Sequence, residues 1–202
     1  VLPLYLGTVV ILSFLLLILV FRSLIVPLVA TGGFLLTVGA TLGAVVAVYQ
    51  FGWLSEVLGV TQAGPILSFL PILLIGILFG LAMDYQLFVV SGMREAYVHG
   101  KSAKDSIDSG IHLGRPVVIA AAIIMVAVFG GFAFSHITMI KPMGFGLAIG
   151  VLIDAFLVRL LLVPALMSVI GKAAWYLPKW LDKLLPDVDV EGAKLERSRS
   201  QA

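Results

Sequence analysis

Residues 65–90 read PILSFLPILLIGILFGLAMDYQLFVV, and Asp84 is the one charged residue among them. Twenty-six residues of this composition are long enough to cross a hydrocarbon core of ~30 Å as a helix. A carboxylate inside such a segment costs roughly 2.5–3.5 kcal/mol on insertion scales, so its presence points to ion coupling, proton relay or substrate contact. Asp84 lies roughly 9 Å of helix before Ser91, deep enough to be desolvated and nearer one membrane face than the centre. Tyr85, its neighbour, projects about 100° away on a helix, so each side chain needs a partner on another element. The other reading of Asp84 is structural, a carboxylate that caps a neighbouring helix or accepts from a hydroxyl.

The rest of the chain belongs to the same class. Of its 202 residues 61% are hydrophobic and 12% charged, and the mean hydropathy is +1.15, values outside the range of soluble domains. Four further apolar runs join the first, giving spans at about 3–20, 26–48, 65–90, 116–134 and 142–170. The first run has no basic segment before it and is followed by Arg22, the reverse of a signal peptide. The polar faces that an all-α soluble core would need are nearly absent. The expectation is an all-α membrane protein. The net charge of +2 gives no reason to expect a nucleic-acid partner, and the absence of cysteine excludes disulfides and thiolate metal sites.

Charge placement orients the helices. Eleven of the thirteen lysines and arginines (Arg22, Arg94, Lys101, Lys104, Arg115, Lys172 and five beyond it) fall on one side, against Lys141 on the other. By the positive-inside rule the first side, with the C-terminus, is cytoplasmic. An odd number of spans that begins outside, without an initiator Met, reads as a piece of a longer protein. Between the third and fourth spans, Ser102 with Asp105 fits a capping box. Ala103, Ile107 and Ile111 then recur at four-residue spacing, which predicts a short amphipathic helix on the inner leaflet. Residues 172–185, with Trp175, Tyr176 and Trp180 among lysines, read as an interfacial anchor. Residues 186–202 are polar and read as a disordered tail.

Small residues mark helix packing. Gly39 and Gly43, Gly76 and Gly80, and Gly146 and Gly150 each have the GxxxG spacing that lets helix backbones approach. Asp154 is the second intramembrane carboxylate, open to either a relay role or a structural pairing with a neighbouring helix. Arg159 follows five residues later, on a different face of an ideal helix, and is read as snorkelling to the headgroups. His99, His112 and His136 are scattered, so no metal site is expected. No phosphate-binding Gly-Lys-Ser/Thr loop and no hydrolase triad can be read, so neither cofactor nor enzymatic activity is expected.

The stretch from Gly80 to Ser91 with Met93-Arg94-Glu95-Ala96 resembles the signature helix of the MMPL family, a branch of the resistance–nodulation–division (RND) superfamily. Val20-Phe21-Arg22-Ser23, Gly146 to Ala155 with Val158-Arg159 and Pro164-Ala165, and Trp175 to Asp182 agree with it. The resemblance covers about residues 1–185. Two positions depart from the pattern: Gln86 stands where an acidic residue is expected and Gly92 where a basic one is common.

The resemblance implies twelve membrane helices in two halves, with this chain supplying helices eight to twelve, a five-helix part of an RND-type bundle. It implies a bacterial cytoplasmic-membrane exporter of lipids or other hydrophobic molecules, driven by the proton gradient. Asp84 and Tyr85 would form half of a proton relay completed by the N-terminal half of the same protein, with Asp154 as a further candidate. Membrane lipids, a lipid-like substrate and protons are the implied partners, and the superfamily includes monomers and homo-oligomers. The competing reading is a non-transporting sensory or assembly module of the same superfamily.

Overall fold

The computed structural model describes residues 2–60 and 64–178. Five helices are long and apolar enough to cross a membrane, and no strand occurs among the described residues. They are α1 (Leu2–Phe21), α2 (Ile25–Gln50), α4 (Leu70–Val98), α5 (Ala103–Ala133) and α6 (Ile140–Ile170), with a short helical turn, α3 (Ser55–Leu58), between α2 and α4. The all-α membrane class read from the apolar runs is therefore the fold observed.

Local chemistry sets the ends. Arg22, at φ 46°, breaks α1 with a left-handed residue. Ser23 then starts α2, its Oγ accepting from the backbone N–H groups of Ile25 and Val26. α4 begins at Leu70 and not at Pro65, because Pro71 fits the first helical turn, where its missing N–H is no loss. It continues past Ser91, whose hydroxyl folds back onto the Phe88 carbonyl, and ends at Val98. Ser102 caps α5 as expected, accepting from the Asp105 N–H at 3.1 Å.

The amphipathic stretch that follows is not a separate surface helix. It runs without a break into the fourth span, making α5 one helix of 31 residues with Pro116 inside it. Proline removes one ladder bond and usually kinks or ends a helix. Here the helix runs on, and the two turns before the proline pack closely on α4. A Cβ at Gly110 would lie 2.7 Å from the Met93 backbone nitrogen, and one at Gly114 would lie 2.9 Å from Val89 Cγ2.

The core is formed where α6 crosses α2 and α4. Gly146 lies against Leu74 and Val45, and Gly150 against Leu78 and Thr41. Gly76 faces the Tyr5 hydroxyl of α1, whereas a Cβ at Gly39, Gly43 or Gly80 meets nothing within 4 Å. At one end of the bundle three ties gather the helix termini. Ser23 Oγ donates to the Ala174 carbonyl at 2.6 Å, Arg94 donates to the Phe21 carbonyl, and Tyr97 stacks on Trp175 at 5.2 Å. The end of α1, the start of α2, the end of α4 and the turn after α6 thus meet, which makes successive long helices antiparallel. Of the anchor segment, Trp175 is engaged in that stack and Tyr176 is exposed. Trp180, Lys179, Lys183 and the tail lie outside the described residues, as does the side chain of Lys172.

Candidate functional site

Two intramembrane carboxylates occupy opposite environments. Asp154 is 4% exposed and Arg159 5%, and the two are paired, Arg159 Nε donating to Asp154 Oδ2 at 2.7 Å. The expectation that these residues face different sides, with Arg159 reaching for the headgroups, is corrected here. Five residues along an α-helix turn through about 140° beyond a full revolution, which would separate the side chains. Residues Ile153–Leu162, however, are wound as a π-helix, the i→i+5 form, and that wider turn brings the fifth residue back over the first.

Neighbouring helices complete the cluster. Arg159 Nη1 donates to Gln86 Oε1 of α4 at 3.0 Å. Thr37 of α2 approaches Asp154 Oδ1 at 3.4 Å while its hydroxyl also bonds the Gly33 carbonyl. The backbones come close enough for this because residue 33 has no side chain, a Cβ there falling 2.5 Å from Val158 Cγ1. Gln86, 3% exposed, uses its oxygen on the guanidinium and leaves its Nε2 without a hydrogen-bond partner. Where the family pattern suggests an acid, this chain places a neutral acceptor, so Asp154 does not share Arg159 with a second carboxylate at this position.

Asp84 belongs to the other face of α4. It lies two positions before Gln86, an angle of about 200° on a helix. Gln86 points into the bundle, and Asp84 is exposed along with Gly80 and Phe88, four residues to either side. No hydrogen bond or ion pair joins Asp84 to another described residue. The Tyr85 side chain lies outside the described set. The structure therefore does not bring Asp84 and Asp154 together: one is neutralised inside the helix group, the other is presented on its surface. Gln86, Arg159 and Thr37 are the polar-site residues that sequence reasoning missed. The available signal was an acid and a base within one membrane span, which have a strong reason to pair there.

Five antiparallel membrane-length helices closed over an ion pair define a polytopic integral membrane protein. The chain belongs to the MMPL family, whose sequence profile matches residues 3–184. It is 55% identical to the Bacillus subtilis membrane protein YdfJ over 92% of its own length and 26% of that protein's. It is 38% identical to the mycolic acid-containing lipids exporter MmpL11 of Mycolicibacterium smegmatis, over 94% of this chain and 20% of the relative. With the trehalose monomycolate exporter MmpL3 of Mycobacterium tuberculosis the identity is 37%, over 82% of this chain and 18% of the relative. The chain thus spans about a quarter or less of the length of these relatives.

Proposed function

We propose that this chain is part of an exporter of lipids or other hydrophobic molecules, driven by the proton gradient across the bacterial cytoplasmic membrane. In this reading Asp84 is the proton-handling group, and it works with Tyr85 against an equivalent pair in the N-terminal half of the same protein. The observation that carries the reading is the division of labour between the two acids. Asp154 has its own guanidinium. Asp84 is exposed on an apolar helix face without a partner among the described residues, the position of a group whose partner is supplied by another part of the protein. Protonation would remove its charge and with it the preference for one packing of the two halves over another. Two of the three relatives above are named as lipid exporters, which supports the substrate class.

Asp154 is proposed to act from a fixed position: it holds Arg159, and Arg159 holds Gln86, so the helix that carries Asp84 is tied to α6 two residues away. The basic loops and the C-terminus are assigned to the cytoplasm on charge placement.

The test is proton flux through the intact protein in vesicles loaded with a pH-sensitive dye, under an imposed pH gradient. Asp84→Asn is expected to abolish protein-dependent flux, and Asp84→Glu to retain part of it. Unchanged flux in Asp84→Asn would overturn the relay and leave a sensory or assembly module as the better description.

A further inference from the structure

At the end of the bundle opposite the Ser23–Ala174 tie lies a cavity of about 540 Å³, with Tyr49, Val60, Ile66, His136, Met139 and Lys141 among its lining residues. It opens between the connection from α2 to α4 and the connection from α5 to α6. None of the residues of the charge cluster or of the Asp84 face takes part in it.

Three observations give it a chemistry. Tyr49 is 8% exposed, and its hydroxyl has no hydrogen-bond partner. The ring is held edge-on against Phe145 at 5.8 Å, so the hydroxyl is fixed in place. Buried hydroxyls nearly always have a partner, so an orphan beside a cavity suggests that the cavity's occupant supplies one. Lys141 is the only lysine or arginine at this end among the described residues, and it spends one of its three N–H groups on the Gly59 carbonyl at 3.1 Å. Two donors and a full positive charge remain. Finally, Phe51, Trp53, Leu54, Val57, Phe134 and Ile137 are exposed around the same end. Aromatic and aliphatic groups displayed at a helix terminus of a membrane bundle belong at headgroup depth.

A cation and a free hydroxyl, with apolar walls and an apolar rim at the bilayer surface, match an anionic amphiphile. We propose that this cavity binds the anionic headgroup of a bilayer lipid, a phosphate or carboxylate, with Lys141 and the Tyr49 hydroxyl as its donors. The site is independent of the proton-relay reading, since neither donor contacts Asp84 or the Asp154–Arg159 pair.

Native mass spectrometry of the intact protein in detergent tests this, with phosphatidylglycerol, phosphatidylcholine and inorganic phosphate added in separate titrations. Phosphatidylglycerol is expected to bind in preference to phosphatidylcholine. Lys141→Gln should weaken that binding roughly tenfold, the loss expected for one charge-assisted bond. Lys141→Arg should retain it. Tyr49→Phe should weaken it severalfold without lowering the melting temperature, because the deleted hydroxyl has no partner in the folded protein. Asp84→Asn should bind phosphatidylglycerol like the unsubstituted protein, which keeps failure of the transport reading separate from failure of this site. Equal binding of the two lipids, or full phosphatidylglycerol binding in both Lys141→Gln and Tyr49→Phe, would overturn the proposal. Displacement of phosphatidylglycerol by inorganic phosphate would also overturn it, in favour of a free-phosphate site. If Lys141→Gln does not fold, Tyr49→Phe alone decides the matter.

Discussion

Arg159 pairs with Asp154 where both side chains are buried, and the two charges are tolerable there only together. Removing one partner of a buried pair leaves the other uncompensated, at a cost of about 3–5 kcal/mol, whereas an apolar pair of similar size is often neutral. Arg159→Met is therefore expected to destabilise the protein by that amount, and Asp154→Leu with Arg159→Met to recover most of it. Heat-induced unfolding of the purified variants in detergent measures both, and the recovery is what separates pairing from simple loss of packing. Asp84 was legible from sequence because it is a lone charge in a long apolar run, a feature that needs no knowledge of helix winding. The Asp154–Arg159 contact was not legible. Judged by the 3.6-residue period the two residues diverge, and nothing in the apolar sequence around them announces that the period changes at Ile153.

α5 shows the same boundary between what the pattern reveals and what packing decides. The cap at Ser102 and the four-residue spacing after it were readable, and both are present. Continuity through Pro116 was not, because the pattern shows the proline and not the neighbouring helices, α4 and α6, that pack on α5. Nor does GxxxG spacing alone separate close crossings from open faces. Gly110 and Gly114, which are also four apart, lie against Met93 and Val89, while Gly39 and Gly43 face open space within this chain. Small residues permit close approach, but the partner's register determines which of them are used. Gly110→Ala should thus lower stability by roughly 1–3 kcal/mol through overpacking, although alanine is the better helix former. Gly39→Ala should be neutral or raise it by up to about 1 kcal/mol. Melting temperatures of the two variants, measured side by side, check the contrast.

The molecule as a whole has two unlike ends. One carries most of the described basic residues and the ties among Phe21, Ser23, Arg94, Tyr97 and Trp175. The other carries Lys141, the cavity and the exposed aromatic groups. Because the sequence contains no cysteine, single thiols can be introduced without background. In intact cells Ile137→Cys is expected to react with a membrane-impermeant maleimide, and Lys104→Cys only after the membrane is opened; the reverse pattern would invert the assigned orientation. The five spans and their alternation followed from hydropathy and charge alone, since both reflect the bilayer and not any particular neighbour. Which side of the final helix touches the bundle did not. The π-wound stretch from Ile153 to Leu162 shifts the angular phase of everything after it. Val163 and Met167 thereby turn inward, while Leu166 and Val169 turn out. A helical wheel drawn in one unbroken phase from Ile140 would assign the lipid-facing and protein-facing sides of the last two turns incorrectly. The winding of ten residues around one ion pair thus acts at a distance, deciding by rotation alone which surface the last turns of α6 offer to α2 and α5.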